Sequence, residues 1–169
     1  MSPSPPTPPS PSPGSPSPPV PGRPRRGGRP SGFDGPLLGA VAVGGALGAG
    51  ARYGMAVALP AVPGGFPWAT LWTNVIGCAL MGVFAVLADE VWRPHRLLRP
   101  LVGTGMLGGF TTFSTYALET RALLERGRTV TASGYLAGTL VAALLAVAVA
   151  AWATRGAVAL VRRRRTHDG

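Results

Sequence analysis

The 169-residue sequence predicts an all-α membrane protein with four transmembrane helices, the third of which is broken. Hydrophobic residues make up 46% of the chain and fall into blocks, each long enough to cross the ~30 Å hydrocarbon layer. The third block also contains a run of glycine and hydroxyl-bearing residues that an ordinary lipid-facing helix lacks. The four spans are expected at about 36–59, 68–88, 98–124 and 132–161.

Polar segments are expected at both ends of the transmembrane domain, residues 36–161. Residues 1–35 contain thirteen prolines with serine and glycine, which predicts a disordered tail without the apolar core of a signal peptide. Residues 162–169 form a basic C-terminal tail. All sixteen basic residues are arginine, and the net charge is +10. Because these arginines mostly flank apolar spans, membrane lipid is the expected partner and nucleic acid is not.

The arginines also predict an orientation. Twelve of them lie in the N-terminal tail, the connector between spans two and three, and the C-terminal end, whereas the opposite loop holds Arg126 and Arg128. The positive-inside rule therefore predicts a multi-pass protein of the plasma membrane with both termini in the cytoplasm. The single cysteine, Cys78, excludes an internal disulfide and is expected to be a small packing residue.

The first span combines small residues with one charge. Gly44 and Gly48 stand four apart, as do Gly50 and Gly54, a spacing that lets another helix approach closely. Arg52 lies between them, and a cation inside a span is costly. We expect its side chain to reach an interface, to face a wet cavity, or to pair with carbonyls or an acid.

The second span carries a polar face, because Thr70, Asn74, Gly77 and Met81 recur at helical spacing. The Asn74 amide needs partners in lipid, and two uses stay open for it. It could join helices through a hydrogen bond, or its NH₂ group could donate to a passing solute.

The third span contains the stretch that organises the chain, GTGMLGGFTTFSTYALE at positions 103–119. Gly108 and Gly109 are expected to adopt backbone angles that other residues resist, and neighbouring hydroxyls to satisfy the amides and carbonyls freed where the helix breaks. Within lipid, a broken helix survives only when it is buried in protein or lines a polar cavity. A binding site is therefore expected here. Glu119 follows, close to Arg126, and is expected at the surface or in a vestibule.

The polar residues of the spans suit an anion better than a cation or a proton. No catalytic set or metal-ligand cluster occurs in the sequence, so an enzyme is not expected. The spans instead offer a set of neutral hydrogen-bond donors, and this set contains no carboxylate. These donors are Thr70, Asn74, Thr111, Thr112, Ser114, Thr115, Tyr116, Tyr135 and Thr139. Two alternatives are a non-conducting scaffold that uses its glycine-rich faces for assembly, and a small four-helix drug exporter. The exporter would need an embedded carboxylate, and spans one and two have none.

Three motifs resemble one known family in the same order along the chain. They are GGALGAGARYG in span one, TLWTNVIGC in span two, and GGFTTFST followed by an aromatic residue and a glutamate in span three. Together they resemble the Fluc (CrcB) fluoride channel family over residues 37–153. The resemblance implies four-helix subunits that pair antiparallel and export cytoplasmic fluoride passively through two pores. It also implies a structural sodium ion between the two broken third helices.

The same resemblance implies roles for individual residues. The carbonyls of Gly108 and Thr111 would coordinate the sodium ion, and the rings of Phe113 and Tyr116 would line the pores. Arg52 would lie toward the vestibules. The hydrogen-bonding groups of the pore would be Thr70, Asn74, Thr112, Ser114, Tyr135 and Thr139.

Two departures and the charge bias complicate this picture. Tyr116 stands where the family usually has phenylalanine, which would add a hydroxyl beside the ion path, and Ala143 stands where the family's hydroxyl track often continues. The strong arginine bias should fix one orientation, so an antiparallel dimer would need an oppositely biased subunit. The sequence thus predicts a heterodimer with a homologous partner. In the alternative, packing energy overrides the bias and a homodimer forms.

Overall fold

The computed structural model describes residues 34–92 and 95–167, without the side chains of 165–167. The predicted disordered tail falls almost wholly outside these residues. The described part of the chain is helical and contains no strand. Helix α1 is Gly35–Ala58, and α2 is Trp68–Val86, followed by a π-helical turn at Leu87–Val91. Helix α3 consists of a π-helical segment, Pro100–Leu107, and an α-helical turn, Gly108–Phe110. Helix α4 is Ser114–Glu125, and α5 is Thr129–His167.

The four predicted spans are confirmed as helical segments, with α3 and α4 as the two halves of the third. Two segments, Trp68–Val91 and Thr129–Arg164, are long and apolar enough to cross a membrane. Tryptophans lie exposed at both ends of the first, Trp68 and Trp92, as is common at membrane interfaces. Helix α5 is longer than predicted, because it continues through the basic segment to His167.

Helix α1 lies against α3 through backbone rather than side chains. A Cβ atom at Gly44 would stand 2.1 Å from the Leu101 carbonyl oxygen, and one at Gly48 would stand 2.1 Å from that of Met106. The close approach predicted for this pair of glycines is confirmed. Around Gly50 and Gly54, nothing described lies within 4 Å, so that pair is not used inside the subunit.

Helix α2 packs against α5 and against the break in the third span. At Gly82, an added Cβ would stand 2.5 Å from the carbonyl oxygen of Val147 in α5. At Gly77, it would stand 2.4 Å from the Cγ2 atom of Thr111, just past the end of α3. Helix α2 is therefore the element that brings the break and α5 together.

Side-chain burial concentrates at one end of the molecule, where α4 turns into α5. The buried cluster consists of Tyr116, Leu123, Ala132 and Tyr135, with Phe66 from the α1–α2 loop packed on it. The rings of Phe66 and Tyr135 meet edge-on at 5.4 Å between centroids. Elsewhere α5 leaves many leucine and valine side chains exposed, as a lipid-facing helix does.

Candidate functional site

The third span breaks between Phe110 and Ser114, and Asn74 holds the break from α2. Thr111 is extended, with φ −71° and ψ 154°. The Asn74 Nδ2 atom donates to the Thr112 carbonyl at 3.0 Å, and Asn74 Oδ1 accepts from the Thr112 N–H at 2.8 Å. Of the two uses left open for Asn74, the structure shows the structural one, as a two-point clamp on the backbone of Thr112 between the two halves of the third span. An amide NH₂ group has two donors, so one N–H remains.

The expectation that Gly108 and Gly109 need special backbone angles is wrong. Among the described residues, the glycines with positive φ are Gly64 and Gly127, which lie in the two loops. Gly108 has ordinary helical angles, φ −65° and ψ −35°. Gly109 is required for proximity instead, because a Cβ there would stand 2.5 Å from the carbonyl oxygen of Gly45 in α1.

The break diverts two N–H groups that would close a continuous helix. The N–H of Thr112, which would bond the Gly108 carbonyl, bonds Asn74 instead. The N–H of Thr115, which would bond the Thr111 carbonyl, bonds Thr112 Oγ1 at 3.2 Å. Both carbonyls therefore lose their helical hydrogen-bond partners. Carbonyl oxygens freed in this way are ligands that suit a dehydrated alkali cation.

Arg52 and a group of hydroxyls line a cavity of about 340 Å³ between α1, α2 and α4. Arg52 Nε donates to the Gly109 carbonyl at 3.3 Å, so the side chain pairs with backbone while facing the cavity. Arg52 thus both faces a cavity and pairs with a carbonyl, two of the uses considered for it. Thr112 and Thr115 also line this cavity, joined by a hydroxyl–hydroxyl bond of 3.1 Å.

Glu119 corrects the expectation that the donor set lacks a carboxylate. Its Oε1 accepts from the Thr70 hydroxyl at 3.0 Å, and its Oε2 accepts from the Tyr135 hydroxyl at 2.7 Å. It also lines the same cavity, as the vestibule alternative required. The signal was present in the sequence, because Glu119 follows Tyr116 by three residues and so shares the inward face of α4. Thr70 and Tyr135 direct their hydroxyl protons to this acid.

A second cavity, of about 230 Å³, is lined by Asn74 and Thr112, and Thr112 also lines the first cavity. Its lining includes Phe113, Tyr116 and Thr139, together with Ala143 at the position where the hydroxyl track was expected to stop. The Thr139 hydroxyl is buried and has no hydrogen-bond partner among the described residues. An unpaired buried hydroxyl costs about 1–3 kcal/mol, a cost that a hydrogen bond to a water or an ion would remove.

The two aromatic residues of the break differ in exposure. Phe113 is 79% exposed, whereas Tyr116 is 6% exposed and lies with its ring centroid 5.8 Å from that of Phe113. The Tyr116 hydroxyl donates a hydrogen bond to the Leu136 carbonyl in α5, and its place beside an ion path stays a prediction. Ser114 is exposed, and its Oγ atom lies 3.3 Å from Thr112 Oγ1.

Comparison with known proteins gives a consistent result. Residues 39–151 match the family described as CrcB-like protein, Camphor Resistance (CrcB). The chain is 54% identical over 120 residues to the fluoride-specific ion channel FluC 1 of Streptomyces coelicolor, covering 71% of this chain and 78% of that protein. It is 52% identical over 131 residues to FluC 2 of Nocardia farcinica, covering 78% and 94% respectively. Streptomyces avermitilis has two relatives, named FluC 2 and FluC 3.

Proposed function

Because the chain belongs to the CrcB-like family and unpaired donors line one of its cavities, we propose that it conducts fluoride passively across a membrane. The observation that carries the proposal is the unpaired hydroxyl of Thr139, a residue that lines the same cavity as Asn74, Phe113 and Tyr116. A small, strongly hydrated anion needs hydrogen-bond donors to replace water, and positive ring edges can add to them. Relatives named as fluoride-specific ion channels support fluoride as the anion.

The path that we propose runs through both cavities past the Asn74 clamp. Arg52 would attract the anion into the larger cavity, and the remaining N–H of Asn74 with the Thr139 hydroxyl would receive it in the smaller one. Thr112 and Ser114 would complete the donor set between them. Glu119 would take no part as a donor, but it would hold Thr70 and Tyr135 in fixed positions.

Fluoride efflux from proteoliposomes tests the proposal. Asn74→Ala should lower efflux by at least about tenfold, because hydrogen bonds to an ion contribute ~1.5–3 kcal/mol each. Thr131→Val is the matched control, since this threonine lies on α5 outside both cavities. If wild-type protein leaks no fluoride, alone or with a homologous subunit, the chain is a scaffold and the proposal fails. Equal efflux from wild type and Asn74→Ala would contradict the proposed path.

We also propose that the carbonyls of Gly108 and Thr111 hold a structural sodium ion together with those of a second subunit. The loss of their helical partners supports this, because it leaves oxygen atoms that a cation could use. A ligand that binds only the folded state raises stability with its concentration. The melting temperature should therefore rise with sodium and not with an equal concentration of a bulky organic cation. Equal curves in both salts would refute the site.

For assembly, we propose an antiparallel dimer in the plasma membrane, with both termini of this chain in the cytoplasm. The 79% exposure of Phe113 supports a second subunit, since a single one leaves this ring uncovered. The arginine bias, and the occurrence of both FluC 2 and FluC 3 in Streptomyces avermitilis, support a homologous, oppositely oriented partner. C-terminal reporter fusions test this. Signal from both sides of the membrane, with fluoride resistance from this gene alone, would exclude the heterodimer requirement.

A further inference from the structure

A groove of about 430 Å³ lies where the π-helical turn of α2 meets the C-terminal part of α5, away from both cavities of the candidate site. Its walls are mostly apolar, and its charged groups are Glu90 and Arg162. The apolar side chains on the walls are Leu87, Val91, Ala157, Val158 and Val161. An apolar groove of this size can hold part of an acyl chain.

The length of α5 indicates the depth of this groove in a membrane. Its 39 residues span about 58 Å, against a hydrocarbon layer of ~30 Å. From Thr129 onward the first charged residue is Arg155, and the exposed Trp152 just before it is suited to the membrane interface. The groove begins at this level and extends beyond it, so its apolar walls lie among the headgroups.

The charges around the groove favour an anion. Arg155 Nε forms an ion pair with Glu90 Oε1 at 3.1 Å, which neutralises the one carboxylate on the groove. Arg162 donates to the backbone carbonyl of Glu90, and a carbonyl carries no net charge to cancel the guanidinium. Arg162 lines the groove and Arg164 follows in the same helix, so the C-terminal end of α5 carries positive charge.

We propose that this groove binds an anionic phospholipid, with its phosphate at Arg162 and part of an acyl chain against the apolar walls. Both features are needed, because the apolar walls fit a lipid tail and the excess charge selects an anionic headgroup. The chain's own N-terminal tail is an unsuitable occupant, since its four arginines would be repelled by this end of α5. The proposal does not depend on fluoride conduction.

Native mass spectrometry of the full chain tests the site, with equal amounts of dioleoylphosphatidylglycerol and dioleoylphosphatidylcholine added in detergent. Wild-type protein should retain phosphatidylglycerol several-fold in preference. Arg162→Gln should abolish the preference, and Ala157→Leu, which fills the groove, should lower retention of the lipid. Arg128→Gln removes one charge at the opposite end of α5 and should leave the preference unchanged. Arg128, Ala157 and Arg162 are exposed, so the variants should fold, and a monodisperse elution profile verifies this.

Several outcomes would overturn the proposal. Equal retention of the two lipids by wild type would exclude charge selection, and an unchanged preference in Arg162→Gln would place the lipid elsewhere. Competition by inorganic phosphate alone, at the lipid's concentration, would indicate a site for free anions. If Ala157→Leu changes the subunit stoichiometry and leaves lipid retention intact, the groove is a contact with another copy of the chain.

Discussion

The two halves of the third span are held in the subunit by different means. Helix α3 contacts α1 through glycine backbones, with space for no additional atom at Gly44, Gly48 or Gly109. Helix α4 is held by side chains, through the bonds that Glu119 accepts and the one that Tyr116 donates. The α3 contact therefore positions the backbone of the break, whereas the α4 contacts orient the polar side chains around it. Changes at the α3 contact should affect folding, and changes at Glu119 and its two donors should affect conduction.

The largest effect is expected from a methyl group added between α1 and α3. In Gly48→Ala the Cβ would stand 2.1 Å from the Met106 carbonyl oxygen, and backbone cannot move aside cheaply. Overpacking of this kind costs ~1–3 kcal/mol and occasionally more. We expect little monodisperse protein after purification. Gly50→Ala is the matched control on the same helix, where nothing lies within 4 Å. Equal yields and melting temperatures for the two variants would contradict the close contact.

The next effect separates the subunit from its assembly. A Cβ at Gly108 would meet only the Gly103 carbonyl oxygen, at 3.9 Å, so Gly108→Val should leave the isolated subunit folded. Because we propose that the adjacent carbonyl faces sodium and a second subunit, the variant should lose the dimer and the sodium dependence of its melting temperature. Gly109→Val, by contrast, should disrupt the subunit itself. Wild-type assembly and conduction in Gly108→Val would show that the proposed interface lies elsewhere.

A smaller effect tests the unpaired hydroxyl. Thr139→Val removes a buried group without a partner, so the melting temperature should stay constant or rise while fluoride efflux falls. Thr120→Val is the matched control, because the buried Thr120 hydroxyl donates to the Tyr116 carbonyl at 2.8 Å. That variant should lose about 1 kcal/mol of stability and conduct normally. If both variants are destabilised alike, the Thr139 hydroxyl has a partner and no role in the path.

Much of this architecture could be predicted because it depends on local pattern. Apolar blocks set the helices, and hydroxyls next to glycines indicated a break within residues 103–119, which the structure places between Phe110 and Ser114. The reason given for the glycines was wrong, because their role is contact with α1, and a contact between helices does not show in a local pattern. The vestibule alternative for Glu119 agrees with the structure, but its hydrogen-bond partners did not show in a local pattern either. Its sequence neighbours are arginines, but its spatial neighbours are Thr70 and Tyr135 from two other helices.

The smallest effect is expected at Tyr116, whose hydroxyl donates a hydrogen bond to the Leu136 carbonyl in α5. Tyr116→Phe should cost about 0.5–1.5 kcal/mol through this bond and leave efflux nearly unchanged, because the ring keeps its contacts with Phe113 and Tyr135. Tyr135→Phe is the informative comparison. Its hydroxyl donates to the Glu119 carboxylate on the larger cavity, so its loss should change efflux more than stability. If Tyr116→Phe instead alters efflux as strongly as Tyr135→Phe, the Tyr116 hydroxyl turns toward the ion path during conduction, and the side chains that hold α4 are less fixed than the backbone contacts of α3.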